Sequence, residues 1–135
     1  MNATPAEISA ILKDHHVVAV VGISAKPDRP SHQVAAYLQS RGYRIVPVNP
    51  GQNEVLGEKC YPSLKDIPFP VDIVDIFRQV EAIPAIVEEA IAVGAKVVWM
   101  QLGLAEPESA ARARGAGLAV VMDRCMKVEH AQRQG

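Results

Sequence analysis

The chain has 135 residues, of which 49% are hydrophobic, and its formal net charge is −1 at pH 7. This length suits one domain, which we expect to span residues 1–135, and the near-neutral charge argues against nucleic acid as a partner. Two widely separated cysteines outside any C-x-x-C pair do not make a disulfide framework. The first residues lack a signal-peptide pattern and no apolar run is long enough to span a membrane. We therefore expect a cytoplasmic protein that does not bind membranes.

The first third of the chain predicts a helix, a strand and a second helix. The segment T-P-A-E at residues 4–7 is a capping box with proline at the first helical position, and it predicts a helix over Pro5–Asp14. Val17–Val21 is a β-branched run and predicts a buried strand. Ser31 is the expected N-cap of a helix that reaches residue 40.

The same alternation of apolar runs and amphipathic segments continues to the end of the chain. Further strands are predicted at residues 44–48, 71–77, 96–101 and 118–122, helices at 80–93 and 107–114, and a polar tail, helical or frayed, at 127–135. Strands separated by helices form parallel sheets, and strands that are apolar throughout are covered on both faces. The sequence therefore predicts an α/β fold, a Rossmann-like doubly wound five-stranded parallel sheet with helices on both faces.

The loop after the first strand carries the clearest binding chemistry. In an open parallel sheet, ligands bind beyond the carboxyl ends of the strands. Gly22 permits a sharp turn, Ser24 and Ser31 offer hydroxyls, and Lys26 and Arg29 add positive charge beside a helix start. These groups favour a phosphate. The alternative is that the two cations are solvated loop charges and the serine is only a cap.

Two features argue against NAD as the ligand. The fingerprint G-x-G-x-x-G is missing, because Gly22 is followed by I-S-A-K. The ribose-binding acid expected at the end of the second strand is missing too, since that strand ends in Val48, Asn49 and Pro50.

No catalytic motif or metal-ligand spacing is present, so we predict neither a catalytic residue nor a metal site. His15 and His16 lie at the amino end of the first strand, away from the expected crevice. His32 could touch a phosphate but has no acid partner, and His130 falls in the polar tail.

Three aspartates and one cysteine are further candidates for a structural or chemical role. Asp72, Asp75 and Asp123 lie in or beside strands, and a buried aspartate normally has a partner, for which Arg78 or Arg124 would serve. Cys125 follows the fifth strand and is the one residue with nucleophilic potential, although no base accompanies it.

Five sequence blocks together resemble a known family. They are VVGISAKPDRPSHQVAAYLQSRGYRIVPVNP, EVLGEKCYPSLKDIP, VDIVDIFR, VVWMQLGL and GLAVVMDRCMKVEH, and the resemblance extends over almost the whole chain, about residues 8–130. In this order they resemble the stand-alone CoA-binding domains, small relatives of the N-terminal CoA-binding domain of the succinyl-CoA synthetase alpha subunit. The resemblance implies a Rossmann-like domain that binds coenzyme A through its nucleotide and pyrophosphate.

The resemblance also implies which residues surround the cofactor. By position they form a pyrophosphate loop, a nucleotide wall, a wall after the third strand and a pantetheine side. In that order they are Gly22, Ile23, Ser24, Ala25 and Lys26 with Arg29 and Ser31 close by; Val48, Asn49 and Pro50; Ile76, Phe77 and Arg78; and Gln101, Leu102 and Gly103.

The chain departs from the synthetase pattern in two ways. The synthetase subunit carries its phosphohistidine in a second domain that this sequence does not contain, so ligase activity does not transfer. Related domains often have a lysine after the Asn-Pro turn, where this chain has Gly51 and Gln52, so that contact depends on Lys59 or Arg44.

The leading hypothesis is a non-enzymatic module that binds CoA or an acyl-CoA. The alternatives are a small enzyme or redox carrier that acts on the CoA thiol through Cys125, and a nucleotide-responsive regulatory subunit with a protein partner.

Overall fold

A computed structural model of the chain describes residues 2–134. Its strands are β1 (Val17–Val21), β2 (Arg44–Val48), β3 (Glu54–Val55), β4 (Glu58–Lys59), β5 (Ile73–Ile76), β6 (Val97–Met100) and β7 (Ala119–Val121). Five of them form one sheet in the order β2-β1-β5-β6-β7, and every neighbouring pair in it is parallel. The predicted five-stranded parallel sheet is confirmed. Its strand order reverses between β1 and β5, which makes the carboxyl ends of these two strands the expected binding crevice.

Five α-helices cover the sheet. They are α1 (Pro5–Asp14), α2 (Pro30–Ser40), α3 (Ile83–Ala92), α4 (Pro107–Gly115) and α5 (Met126–Ala131), and two short 3-10 turns occupy Leu64–Asp66 and Val80–Ala82. One core layer joins α1, α2 and α5 to the sheet, and the other joins α3 and α4 to its opposite face. Neighbouring residues of a strand alternate between the layers, as Val20 and Val21 do, because successive side chains of a strand point to opposite faces.

The first helix has the predicted bounds because its capping box forms. The Thr4 hydroxyl accepts a hydrogen bond from the Glu7 backbone N–H at 3.2 Å, and the Glu7 carboxylate accepts one from the Thr4 backbone N–H at 2.8 Å. These reciprocal bonds lower the pKa of Glu7, since they stabilise its charged form.

The start of α2 differs from the prediction. Ser31 is not the N-cap; that position belongs to Arg29, and Pro30 follows as the first helical residue. Proline suits that place because its φ is already helical and it has no N–H to leave unpaired. The Ser31 hydroxyl instead accepts a hydrogen bond from the Ser24 backbone N–H at 2.9 Å.

The connection between β2 and β5 contains a hairpin that the sequence did not predict. Strands β3 and β4 pair antiparallel around Leu56 and Gly57, which both have positive φ, 55° and 76°. Two-residue hairpin turns require this left-handed backbone at both central positions.

The predicted tail at residues 127–135 is helical in its first part, where α5 continues to Ala131 and buries His130. His130 is only 8% exposed, and its Nδ1 lies 2.9 Å from the Tyr37 hydroxyl on α2. Met126, one helical turn earlier, is fully buried. The i, i+4 spacing places both side chains on the face of α5 that packs on the protein.

Both edges of the sheet are covered by side chains or by a neighbouring loop. At the β2 edge, Pro47 has no N–H to offer and its carbonyl accepts from the Tyr61 N–H at 3.0 Å. At the β7 edge, the Asn2 side chain accepts from the Met122 N–H at 2.9 Å and donates to the Met122 carbonyl at 2.8 Å. Arg114 donates to the Val120 carbonyl at 3.4 Å.

Candidate functional site

Gly22 makes the turn that begins the candidate site. Its φ is +88°, and its N–H donates to the Val48 carbonyl at 2.9 Å, which holds the turn beside β2. A Cβ at this position would lie 2.6 Å from the Phe77 carbonyl oxygen and 2.7 Å from Arg78 Cδ. Only glycine therefore lets the β1 loop lie so close to the loop after β5.

The rest of the loop is fixed by its own hydrogen bonds. The Ser24 hydroxyl accepts from the Lys26 backbone N–H at 3.1 Å, and the Ser24 carbonyl lies 2.9 Å from His32 Nδ1. A carbonyl only accepts, so that histidine nitrogen carries a proton. Together with the bond from Ser24 to Ser31, these contacts hold the loop against the start of α2.

A shallow pocket lies between this loop and the loop after β5. It is lined by Ser24, Lys26, Arg29, Pro30, Ser31 and Phe77. Among residues 2–134 the salt bridges are Arg112–Glu88 and Arg133–Glu129, so the cations of the pocket make no ion pair in that range. Their charges are available to a ligand.

The start of α2 adds backbone donors to the same pocket. The Gln33 N–H makes the first helical bond, to the Arg29 carbonyl at 3.0 Å. The N–H groups of Ser31 and His32 therefore precede the helical hydrogen-bond ladder, at the positive end of the helix dipole. Such an arrangement binds anions, and phosphate above all.

Asn49 joins the end of β2 to this loop. Its side-chain amide donates to the Ile23 carbonyl at 2.8 Å, and its side-chain oxygen accepts from the Gly51 N–H at 2.8 Å. Pro50 is exposed beside it, whereas Val48 and Ile23 are buried in the core. Among the three residues predicted to form the nucleotide wall, Pro50 can contact a ligand with its side chain, Asn49 mainly holds the loop, and Val48 is in the core.

The residues predicted to form a wall after the third strand also include both buried and accessible side chains. Ile76 is fully buried, so its side chain contacts no ligand. Phe77 is half-buried and lines the pocket, and Arg78 is exposed with its aliphatic carbons against Gly22.

The loop after β6 is held mainly by structural bonds. Gln101 is buried, and its side-chain oxygen accepts from the Met126 N–H at 3.1 Å, which holds the start of α5. The Gly103 N–H donates to the Asp123 carboxylate at 2.7 Å. Leu102 is 70% exposed, and it is the member of the predicted pantetheine side with a free apolar side chain.

The aspartates do not pair with arginines as expected. The Asp72 carboxylate accepts from the backbone N–H groups of His16 and Val17 at 3.2 and 3.1 Å, and Asp123 binds a backbone N–H as described. Both Asp75 oxygens are buried without a hydrogen-bond partner among residues 2–134. Burial raises the pKa of Asp75 well above its usual range, so this carboxyl holds its proton.

Among the described residues, the cysteine thiols and the possible metal ligands do not form a catalytic or metal centre. Cys125 is half-buried at the N-cap of α5, and its thiol makes no hydrogen bond to a histidine or carboxylate within residues 2–134. Burial raises the pKa of the Cys60 thiol. In the same range no three histidine, cysteine or acidic residues cluster as a metal site would require, and no helix has the length and apolar character to cross a bilayer.

Comparison with known proteins gives relatives that match nearly the whole chain and relatives that match part of it. An uncharacterized protein of Bacillus subtilis, YneT, is 45% identical over 130 residues, which are 96% of each chain. A hypothetical protein from Pyrococcus horikoshii has a solved structure that matches with a TM-score of 0.94 and 44% identity, covering 98% of this chain and 94% of that one. The ADP-forming acetate–CoA ligase II of Archaeoglobus fulgidus is 36% identical over 81 residues, which are 58% of this chain and 12% of the ligase.

A sequence profile for one family covers nearly the same span as the five blocks. It matches residues 16–131, and the family is described as a CoA binding domain. The resemblance drawn from the sequence is thereby confirmed. The chain belongs to the CoA-binding domain family.

Proposed function

We propose that this chain binds coenzyme A, or an acyl-CoA, through its nucleotide and pyrophosphate and catalyses no reaction of its own. The observation that carries the proposal is the pocket at the β1–β5 switch point, where loop hydroxyls, two unpaired cations and the start of α2 converge. Membership of the CoA-binding domain family supports the choice of CoA over another phosphate-bearing ligand.

The pyrophosphate is the part of CoA that the pocket suits best. Its oxygens would accept from the N–H groups of Ser31 and His32 and would lie near Lys26 and Arg29. No acidic residue of the described range lines this pocket, so its walls favour a ligand with several negative charges.

The adenosine end would lie beside β2. Pro50 offers an exposed, rigid surface there, and the loop position of Asn49 is fixed by two hydrogen bonds. Arg44 does not suit the adenosine phosphate, because it begins β2 at the opposite end of the sheet and stacks on Phe69 at 3.9 Å. Lys59 is the better candidate by position, because its ammonium lies 5.2 Å from the centre of the Tyr61 ring and Tyr61 bridges to Val48 at the carboxyl end of β2.

Calorimetric titration with CoA tests this proposal. We expect Arg29→Ala to weaken CoA binding about tenfold, because a charge-assisted hydrogen bond contributes about 1.5 kcal/mol. Arg112→Ala is the matched control, since Arg112 is also exposed but pairs with Glu88 on the opposite face of the sheet. It should leave the Kd for CoA unchanged.

The same titration can contradict the proposal in two ways. Absence of binding by the wild type to CoA, acetyl-CoA and 3′-phospho-ADP alike would reject CoA as the ligand. Equal weakening by Arg29→Ala and Arg112→Ala would reject the pocket as the site.

A further inference from the structure

A second pocket lies at the amino end of the sheet, opposite the crevice. Its volume is about 350 Å³, and its walls include Lys13, His16, Arg41, Tyr43, His130 and Arg133. His16 immediately precedes β1 and Tyr43 immediately precedes β2, so the pocket lies where these strands begin. The proposed CoA site lies where β1 ends.

His130 is built into this pocket rather than lying on the surface. It is 8% exposed, Tyr37 holds its Nδ1 at 2.9 Å, and the Tyr43 ring packs edge-on at 5.4 Å. Its other ring nitrogen, Nε2, has no hydrogen-bond partner among residues 2–134, although the residue lines the pocket. Because this nitrogen is not among the fully buried atoms that lack a partner in that range, it is accessible from the pocket.

Most of the charges around His130 are positive. Lys13 and Arg41 make no salt bridge within residues 2–134, and no carboxylate side chain of that range lines the pocket. Arg133 is held by Glu129 at 3.2 Å and by the Ser9 hydroxyl at 2.7 Å, so its charge is largely neutralised and its position is fixed. Within residues 2–134, two cations without a salt bridge and the Nε2 of His130 therefore line one concave space.

We propose that this pocket is a second binding site, separate from the CoA site, for a small oxyanion of the phosphate or carboxylate class. His130 Nε2–H donates a hydrogen bond to the anion, while Lys13 and Arg41 supply the charge. The rings of Tyr43 and His16, which lie 5.1 Å apart, form one wall. The proposal does not depend on CoA binding.

Binding at this site is coupled to pH. Burial lowers the pKa of His130, and the charge of Arg41 lowers it further. The other titratable or charged groups around it are Lys13 from α1, His16 and Tyr43 from the strand starts, Tyr37 from α2, Lys127 and Glu129 from its own helix, and Arg133 just after that helix. An anion in contact with the imidazole stabilises its protonated form, so binding raises the pKa of His130 and strengthens as pH falls.

The test follows the ring nitrogens of His130 by NMR while inorganic phosphate or malonate is added to protein saturated with CoA. We expect a saturable shift of the Nε2 resonance and a rise in the pKa of His130. Lys13→Gln and Arg41→Gln should each weaken anion binding about threefold to tenfold. Lys65→Gln, which removes an exposed charge outside the pocket, should leave it unchanged.

The two probes also distinguish the sources of the anion. A response to phosphate alone assigns the site to phosphoryl groups, and a response to malonate alone assigns it to carboxylates. If neither probe moves the His130 resonances, or if Lys13→Gln and Arg41→Gln respond as the wild type does, the proposal is wrong. A CoA titration of separate samples, free of CoA and of the probes, is an independent measurement, so failure of one proposal does not affect the other.

Discussion

Gly22 connects the two loops on which the proposed CoA site is built. Its left-handed backbone and the 2.6 Å that would separate a Cβ from the Phe77 carbonyl oxygen impose two independent requirements for glycine. Gly42 shares the first requirement, with a φ of +93°, but nothing lies within 4 Å of its Cβ position. A comparison of alanine substitutions at the two glycines therefore separates the cost of backbone strain from the cost of steric contact.

We expect Gly22→Ala to lower the free energy of unfolding by about 3 kcal/mol, since strain and a clash with backbone add. Gly42→Ala should cost about 1 kcal/mol, from strain alone. Urea unfolding of both variants measures the difference. Equal losses would show that the β1 loop has room to move away from the β5 loop.

Single residues are also where sequence-based prediction was weakest. Asp75 was expected to pair with an arginine, and it has no partner among residues 2–134, because the pleat of β5 directs it into the apolar layer that contains Val20 and Trp99. The residue type alone did not reveal this. The roles of Asn49 and Gln101 as structural ties likewise depend on which backbone groups the fold brings beside them.

At the scale of the elements, local signals gave accurate bounds where they were strong. The capping box and the two β-branched runs predicted α1, β1 and β2 with the bounds that the structure shows. Strands β3 and β4 were missed because two residues each are too few to show a period of two. The α2 start was misplaced by two residues, since a serine is the commoner cap but Arg29 holds that position and Pro30 begins the helix.

The cap of α1 gives a prediction for one element. We expect Thr4→Ala to lower the free energy of unfolding by about 1 kcal/mol, because it leaves the Glu7 N–H without its side-chain acceptor. Thr4→Ser keeps the hydroxyl and should retain most of the stability. Thermal unfolding compares the variants, and an unchanged midpoint for Thr4→Ala would show that the tertiary contacts of α1 suffice without the cap.

For the whole molecule, the protonated carboxyl of Asp75 makes stability depend on pH. Below the pKa of an unfolded aspartate, about 3.9, both the folded and the unfolded chain hold this proton. At higher pH the unfolded chain ionises while the buried carboxyl does not, so the free energy of unfolding falls until the pH passes the raised pKa.

We therefore expect this group to contribute a decline of up to about 1.4 kcal/mol per pH unit above pH 4. Asp75→Asn keeps the shape of the side chain but cannot ionise, so it should remove that contribution. The free energy of unfolding of the variant, relative to that of the wild type, should therefore increase with pH. Asp28→Asn, at an exposed loop position, is the control. Urea unfolding at a series of pH values measures both, and parallel curves for wild type and Asp75→Asn would refute the prediction.

The closed edges of the sheet have a consequence for how copies of this chain behave together. An open edge strand is a template on which another molecule can add a strand, and such growth leads to aggregates. Asn2 makes with Met122 the same pair of bonds that an added strand would make, and Pro47 lacks the N–H that one would need on the other side. These contacts leave fewer free backbone groups along the two edges, so crowding or refolding at high concentration offers a further strand less of a template on which to pair.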